Sequence, residues 1–567
     1  MIFLNRFKFS SSFDRFDYLF LSLIPFCILF FLPFNYEPGS ECFNEWATAR
    51  LFLDWDGFPK PSLSLGYVLY SALLINLLDY KNFILVEYFI TFTFFYFCIY
   101  YLVRHWLNNF FSFLTIISCI LIFYQTQGHN VIIGIGFVLI YVRQLLLARV
   151  SFILPLNLIV ACTFHQAFIF TLIGHYFGSI YSLLISKKKK IFTKPNFKQR
   201  NIYLIFFKSL VFCTLIVIYS FSILNPSLRK DNNHYMDEMP WAPMKIKSSL
   251  DAGIMQMVPA DYNARRISLE EAKTQDWFFT NKTIFNNAEN AIDAIIKVPN
   301  VFIETITFNL RYLFTMPNAF ILKWHNKPII ILSALLSIFT FLIFSINLFL
   351  KKKFVFLSSF LIGILGITIV LLLTRTSNLR YNVVFFPFLI TFFFQGLYLI
   401  NKILLKRYGK YFLSHLFAFL MIFGSYLQNY ERYDQFTYFN WSSIFSNKDG
   451  YSYNFHTLKK LVRPNDVILT QDSNWVKGFF DISHNRIFSL NSLPPFEDNF
   501  KFKSLTKIIT QFWVKPDIMS VNFKEQSTNY FLRYQNYLLP LVNFAKKENW
   551  EVIHINNFGI IYRKRKL

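Results

Sequence analysis

The sequence predicts a mainly α-helical membrane protein of about eleven transmembrane helices, with one large outer loop and a small C-terminal α/β soluble domain. Three observations carry that prediction. In 567 residues, 54% are hydrophobic and 20% aromatic, far more apolar sequence than a soluble core can hide. Lys and Arg fall in short runs between apolar blocks, as the positive-inside rule requires, so the formal charge of +25 is a topology signal and not a nucleic-acid footprint. From residue 440 onward the pattern changes to short β-rich runs between turns.

Arg6, Lys8 and Arg15 precede the first apolar run, 18–34. PFNYEPGSE makes a poor cleavage site, so this run is read as an uncleaved helix with a cytoplasmic N-terminus. The following loop, 35–62, is then outside, and it holds Glu37, Glu41, Glu45, Asp54 and Asp56 in a chain only 16% charged. Pro38, Gly39 and Ser40 break and cap, and 41–53 reads as a short helix. Trp46, Ala49, Arg50 and Leu53 recur at the spacing of a helix lying on the membrane surface. Glu41 and Glu45 stand one turn apart on one face, where they suit either proton transfer or the helix dipole.

Apolar blocks follow at 63–80, 82–103, 107–126, 129–148 and 150–186, ahead of the basic run 187–190. The last block is long enough for a kinked helix or a pair; crossing once it gives six crossings and crossing twice seven, and six is the even number that returns the chain to the cytoplasm. Glu87, Arg104, His105, His129, Arg143, Gln144, His165 and His175 interrupt these blocks, and ionisable groups at membrane depth are functional candidates by default. Arg104 and His105 fall between blocks, where an interface is the plainer reading, and for a histidine within the bundle a hydrogen bond to a neighbouring helix is. Block 202–224 leads to an outer loop at 225–327, whose stretch from Glu289 to Phe314 reads as a helix kinked at Pro299. Blocks 329–350, 354–374, 381–401 and 411–429 alternate with basic clusters and leave the C-terminal domain outside.

Within that domain, strands are expected at 466–471, 486–490, 518–523, 551–555 and 559–564, with amphipathic helices at 501–513 and 528–547. No Gly-rich phosphate loop, metal-ligand cluster or nucleophile motif occurs there. The domain division is therefore 1–430, transmembrane, and 440–567, an extracytoplasmic α/β cap. Cys27, Cys98, Cys119, Cys162 and Cys213 lie in apolar segments and only Cys42 in a polar loop, so no disulfide framework is implied. Arg375 and Arg380, in TRTSNLRYNVVFFP, are suited to a phosphate through paired charge-assisted hydrogen bonds, or to snorkelling toward headgroups.

SECFNEWATAR resembles the first-loop motif of GT-C class polytopic membrane glycosyltransferases, the group of protein O-mannosyltransferases and aminoarabinose transferases. Glu41 takes the place of the family's Asp, Cys42 that of the following Glu, and Ala49-Arg50 ends the motif. RYNVVFFP resembles the family's late Arg-Tyr and Pro pattern, and RPNDVILT the start of its outer domain. The resemblance implies transfer of a sugar from a polyprenyl-phosphate donor to a glycan, lipid or protein hydroxyl at the outer face of a bacterial inner membrane, with inversion. It implies Glu41 as catalytic base with Glu45 beside it, and Arg375, Arg380 and Tyr381 at the donor phosphate. No resident cofactor or protein metal site follows from it, and the acidic loop leaves a divalent cation open. Membrane lipid is an expected partner and nucleic acid is not. Two other readings stand beside it. YVRQLLL followed by FHQAF is similar to the Arg-Gln and His pattern of multispanning polysaccharide polymerases, which would shift weight to Arg143 and His165. A lipid-linked sugar flippase would share the spans, but its usual internal repeats are not seen.

Overall fold

The computed structural model describes residues 14–31, 46, 49–50, 53, 65–78, 80–123, 129–147, 153–188, 254, 284–286, 288–313, 327–374, 383–404, 411–430, 457–470, 476–477, 479–482, 486–489, 516–522, 539–556 and 559–565. Most of these residues are helical. The helices are α1 Arg15–Phe31, α2 Leu65–Leu77, α3 Tyr80–Val103, α4 Asn109–Phe123, α5 His129–Leu146, α6 Ile153–Phe164 and α7 Ile169–Lys188. After them come α8 Ala291–Lys297, α9 Pro299–Leu313, α10 Lys327–Leu350, α11 Phe354–Leu373, α12 Phe386–Leu404 and α13 Phe412–Tyr430.

Among the described residues, five segments are long and apolar enough to cross a membrane: Leu85–Val103, His129–Leu146, Ile331–Leu350, Phe354–Leu373 and Val383–Ile403. Helices that are hydrophobic all round belong either at the centre of a bundle or against lipid, and burial separates the two. Protein covers 83% of the Val383–Ile403 window but only 28% of that at Ile331–Leu350, so α12 is central and α10 peripheral. One continuous aromatic core joins α1, α3, α4, α5, α6 and α10–α13, with Phe92, Phe95, Trp106, Phe386 and Phe393 fully or almost fully enclosed.

Polar contacts sort the helix ends. Asp17, in the first turn of α1, holds Arg104, just past α3, and Asn109 at the start of α4 donates to Asp14. At the opposite end of α3, Glu87 meets His129, the first residue of α5. Asp17 of α1 and Arg104 beyond α3 thus stand together, and α2, expected as a crossing, is a shorter apolar helix of 13 residues. The block 150–186, expected to cross once, is two helices, α6 and α7, divided by a 3₁₀ turn at Gln166–Phe168 whose Ala167 amide bonds His165 Nδ1 at 3.3 Å.

The kink at Pro299 is present: α8 ends at Val298, whose φ of −133° and ψ of 57° lie outside the helical region, as expected before proline. All five expected strands form, as β1 Ile468–Thr470, β2 Ile487–Ser489, β3 Ile518–Asn522, β4 Glu551–Asn556 and β5 Gly559–Arg563. Their order is β2-β1-β3-β5-β4, parallel from β2 to β3 and antiparallel across β5. Helix α14, Leu539–Lys547, falls in the expected 528–547 segment, while 501–513 lies outside the described residues.

Candidate functional site

A second core, separate from that of the bundle, joins the acidic first loop to both the helices and the sheet. Trp46 and Ala49 are fully buried with Tyr67, Val68 and Ala72 of α2, Phe83 of α3, and Leu458, Ile468, Phe480, Ile487 and Ile518 of the C-terminal region. The Trp46 ring stands edge-on to Phe83 at 5.0 Å and to Phe479 at 5.8 Å. Arg50 reaches Asp481 at 3.8 Å, an exposed pairing that adds little energy but lies on the same junction. The stripe Trp46, Ala49, Leu53 was expected against the membrane surface. It faces protein instead, because the sheet region supplies an apolar partner that the loop's local pattern does not reveal.

Beneath Trp46 lies a buried polar cluster. Trp46 Nε1 donates to the Tyr67 hydroxyl at 3.3 Å, and Tyr67 donates to Glu87 Oε1 at 2.9 Å. Thr91, one turn along α3 on the same face, donates to the same oxygen at 3.0 Å. His129 Nδ1 stands 2.6 Å from Glu87 Oε2, with its ring edge-on between Tyr88 at 5.7 Å and Phe92 at 5.6 Å. Glu87 is 1% exposed and is the sole carboxylate of α3. A buried carboxylate with partners on both oxygens is chemically coherent, whereas the same group left unpartnered would cost several kcal/mol.

The assigned base Glu41 and its neighbour Glu45, and the phosphate ligands Arg375, Arg380 and Tyr381, lie outside the described residues. Trp46 directly follows Glu45 in the chain, and Thr374, at the C-cap of α11, directly precedes Arg375. Of the polymerase-like pair, Arg143 is buried in the last turn of α5 with its guanidinium 5.5 Å from the centre of the Tyr101 ring. His165 follows the far end of α6, eight residues beyond Asn157, which bonds Gln144 at 3.1 Å. About 12 Å of helix therefore separates the levels of those two residues. His175 bonds the Tyr141 hydroxyl at 2.9 Å, and that hydroxyl meets Ser359 Oγ at 2.7 Å, an interhelical bond of α5, α7 and α11.

Sequence reasoning noticed Glu87 and His129 as interruptions but assigned them no joint role, and it gave Tyr67 none. The signal was a lone acid within an apolar helix. Among the described residues, no group of three His, Cys, Asp or Glu side chains stands together to hold a metal ion. No protein-family model and no curated protein matches this chain.

Proposed function

We propose that the chain is a multi-pass membrane glycosyltransferase that moves a sugar from a polyprenyl-phosphate donor to an acceptor hydroxyl at the outer face. In this reading about eleven spans carry the 225–327 loop and the 440–567 α/β domain on that face, with the N-terminus in the cytoplasm. Glu41 takes the acceptor proton as the acceptor oxygen forms its bond to the anomeric carbon. The bond from that carbon to the phosphate oxygen breaks, and the phosphate leaves with the electron pair. Arg380 with Arg375 neutralises the charge that grows there, and Tyr381 adds a hydroxyl. Attack opposite the leaving group inverts the sugar.

The observation that carries the reading is the burial of Trp46 and Ala49 between helix bundle and α/β region. An acid-rich loop free in solvent would have no fixed geometry. Trp46 and Ala49 tie this one to the place where helices and α/β region meet, and ligand sites favour junctions of that kind.

The testing experiment is sugar transfer from polyprenyl-phosphate donors in membranes carrying wild type, Glu41→Gln or Arg380→Ala at matched protein levels. Loss of transfer in both variants supports the reading. Transfer by Glu41→Gln at the wild-type rate removes Glu41 from the mechanism, and absence of transfer by wild type from every donor offered rejects the activity.

A further inference from the structure

The hydrogen bonds from Trp46 to Glu87 run in one direction only. An indole N–H can donate and never accept, so the Tyr67 oxygen must accept from Trp46. The single Tyr67 proton is then committed to Glu87 Oε1, and one proton lies between Glu87 Oε2 and His129 Nδ1. The relay joins the acidic loop, α2, α3 and α5 through contacts 21, 20 and 42 positions apart in the chain.

Packing alone does not call for a carboxylate here. A buried charged group among apolar helices is expensive, and a well-packed aliphatic residue is often as stabilising or more so. What Glu87 supplies that leucine cannot is direction. It orients the Tyr67 hydroxyl, which gives the Trp46 indole N–H a directed acceptor, while Phe83 and Phe479 pack edge-to-face with the ring.

We infer that Glu87 is a positioning residue: through Tyr67 it fixes the seat of Trp46 against α2 and α3, and with it the point at which the first loop is tied to the helix bundle. Its catalytic consequence rests on the transferase reading above, whereas its structural consequence does not. A misplacement near 1 Å in a proton acceptor costs on the order of a hundredfold in rate, so a relay holding the loop is worth its burial.

The test measures hydrogen–deuterium exchange in peptides spanning 44–54 of the full-length protein in lipid nanodiscs, together with transfer kinetics. The variants are Glu87→Leu, Glu87→Gln, Tyr67→Phe and, as a local comparison outside the relay, Tyr70→Phe. Tyr70 donates to the Glu87 backbone carbonyl at 3.3 Å and not to its carboxylate. Glu87→Leu and Tyr67→Phe are expected to raise exchange in 44–54 selectively, and to lower kcat by roughly tenfold to a hundredfold with KM within about twofold. Glu87→Gln keeps an acceptor for Tyr67, so it retains most of the protection and rate. Tyr70→Phe leaves exchange in 44–54 at the wild-type level.

Unchanged exchange in Tyr67→Phe overturns the inference, even where Glu87→Leu fails to accumulate. So does a rise spread evenly over α2, α3 and α5, or an equal effect from Tyr70→Phe. Should wild type transfer no sugar from any donor, the function fails while the exchange pattern still decides the positioning role.

Discussion

Asp17 and Arg104, 87 positions apart, meet in a two-point ion pair: Arg104 Nε donates to Asp17 Oδ1 at 2.6 Å and Nη2 donates to Oδ2 at 3.0 Å. Tyr100 adds a third bond to Oδ1 at 2.6 Å, and Arg104 Nη1 donates to the Leu107 carbonyl at 2.8 Å. The Asp17 side chain is fully buried, so removing one partner strands the other charge. Asp17→Leu and Arg104→Leu should each destabilise the protein by about 3–5 kcal/mol. The double variant should cost less than either single one, since no charge is left unpaired. Reversible unfolding in mixed micelles checks this; equal or additive losses would show that the pair acts as two independent contacts.

Helices α7 and α11 approach closely because small residues line their contact. An added Cβ at Gly178 would stand 2.7 Å from the Phe354 carbonyl and 2.7 Å from Val355 Cα, and one at Gly174 would stand 2.8 Å from Ser359 Cα. Backbone cannot rotate away as a side chain can. At Gly134 the nearest atom belongs instead to the Phe168 ring, at 2.8 Å. Gly174→Ala and Gly178→Ala should therefore cost about 1–3 kcal/mol, with Gly134→Ala at or below the lower end. Thermal denaturation of the three variants in one detergent ranks them, and the reverse order would contradict the packing argument.

The elements were legible in the sequence because each is written locally. Ile468–Thr470 and Gly559–Arg563 are short aliphatic runs between turn residues, and Val298-Pro299 announces its own break. The length of 150–186 allowed a pair of helices but not the place of their division, because Phe164 to Phe168 carries neither glycine nor proline, and the 3₁₀ turn there is held by the His165 side chain. Helix α2 is apolar but only 13 residues long, and apolar composition does not record whether neighbours or lipid cover a face. The Trp46, Tyr67, Glu87 and His129 relay draws one residue from each of four segments, and no period of 2 or 3.6 reports such an assembly.

The N-terminus of α8 should loosen in acid. Asn290 caps it by accepting the Asp293 amide at 3.0 Å, and Asp293 Oδ2 in turn accepts the Glu289 amide at 2.8 Å and pairs with Lys297 at 2.9 Å. The Glu289 amide first, and then the Lys297 ammonium, hold the Asp293 carboxyl below its ordinary value of 3.8. A depressed carboxyl stabilises the fold fully above its unfolded value and loses that contribution as pH falls through the folded one. Exchange protection at 289–297, corrected for intrinsic rate, should be flat above about pH 5 and should fall below about pH 4. Asp293→Asn should abolish that step; its persistence in the variant would assign it to another group.

Asn309 of α9 closes the C-terminus of α11, and its substitutions should separate hydrogen bonding from charge. Its Nδ2 donates to the Leu372 carbonyl at 3.0 Å, with the Leu371 and Thr374 carbonyls at 3.5 and 3.4 Å. Those carbonyls lie at the last turn and C-cap of α11, where the Thr374 amide already bonds the Leu371 carbonyl, and they carry the negative end of the dipole. Asn309→Leu should cost about 1–3 kcal/mol by leaving buried carbonyls without a donor. Asn309→Asp places an acceptor against acceptors at the wrong end of the dipole, so at neutral pH it should cost more than leucine does. Lowering the pH to protonate that new carboxyl should return part of the loss, which leucine cannot do. Unfolding of the two variants at pH 7 and pH 4 provides the comparison. If aspartate proves no worse than leucine at pH 7, the Asn309 contact is packing and not a cap, and the 289–313 helices are held on α11 by Phe285, Val301 and Phe302 against Leu373 instead.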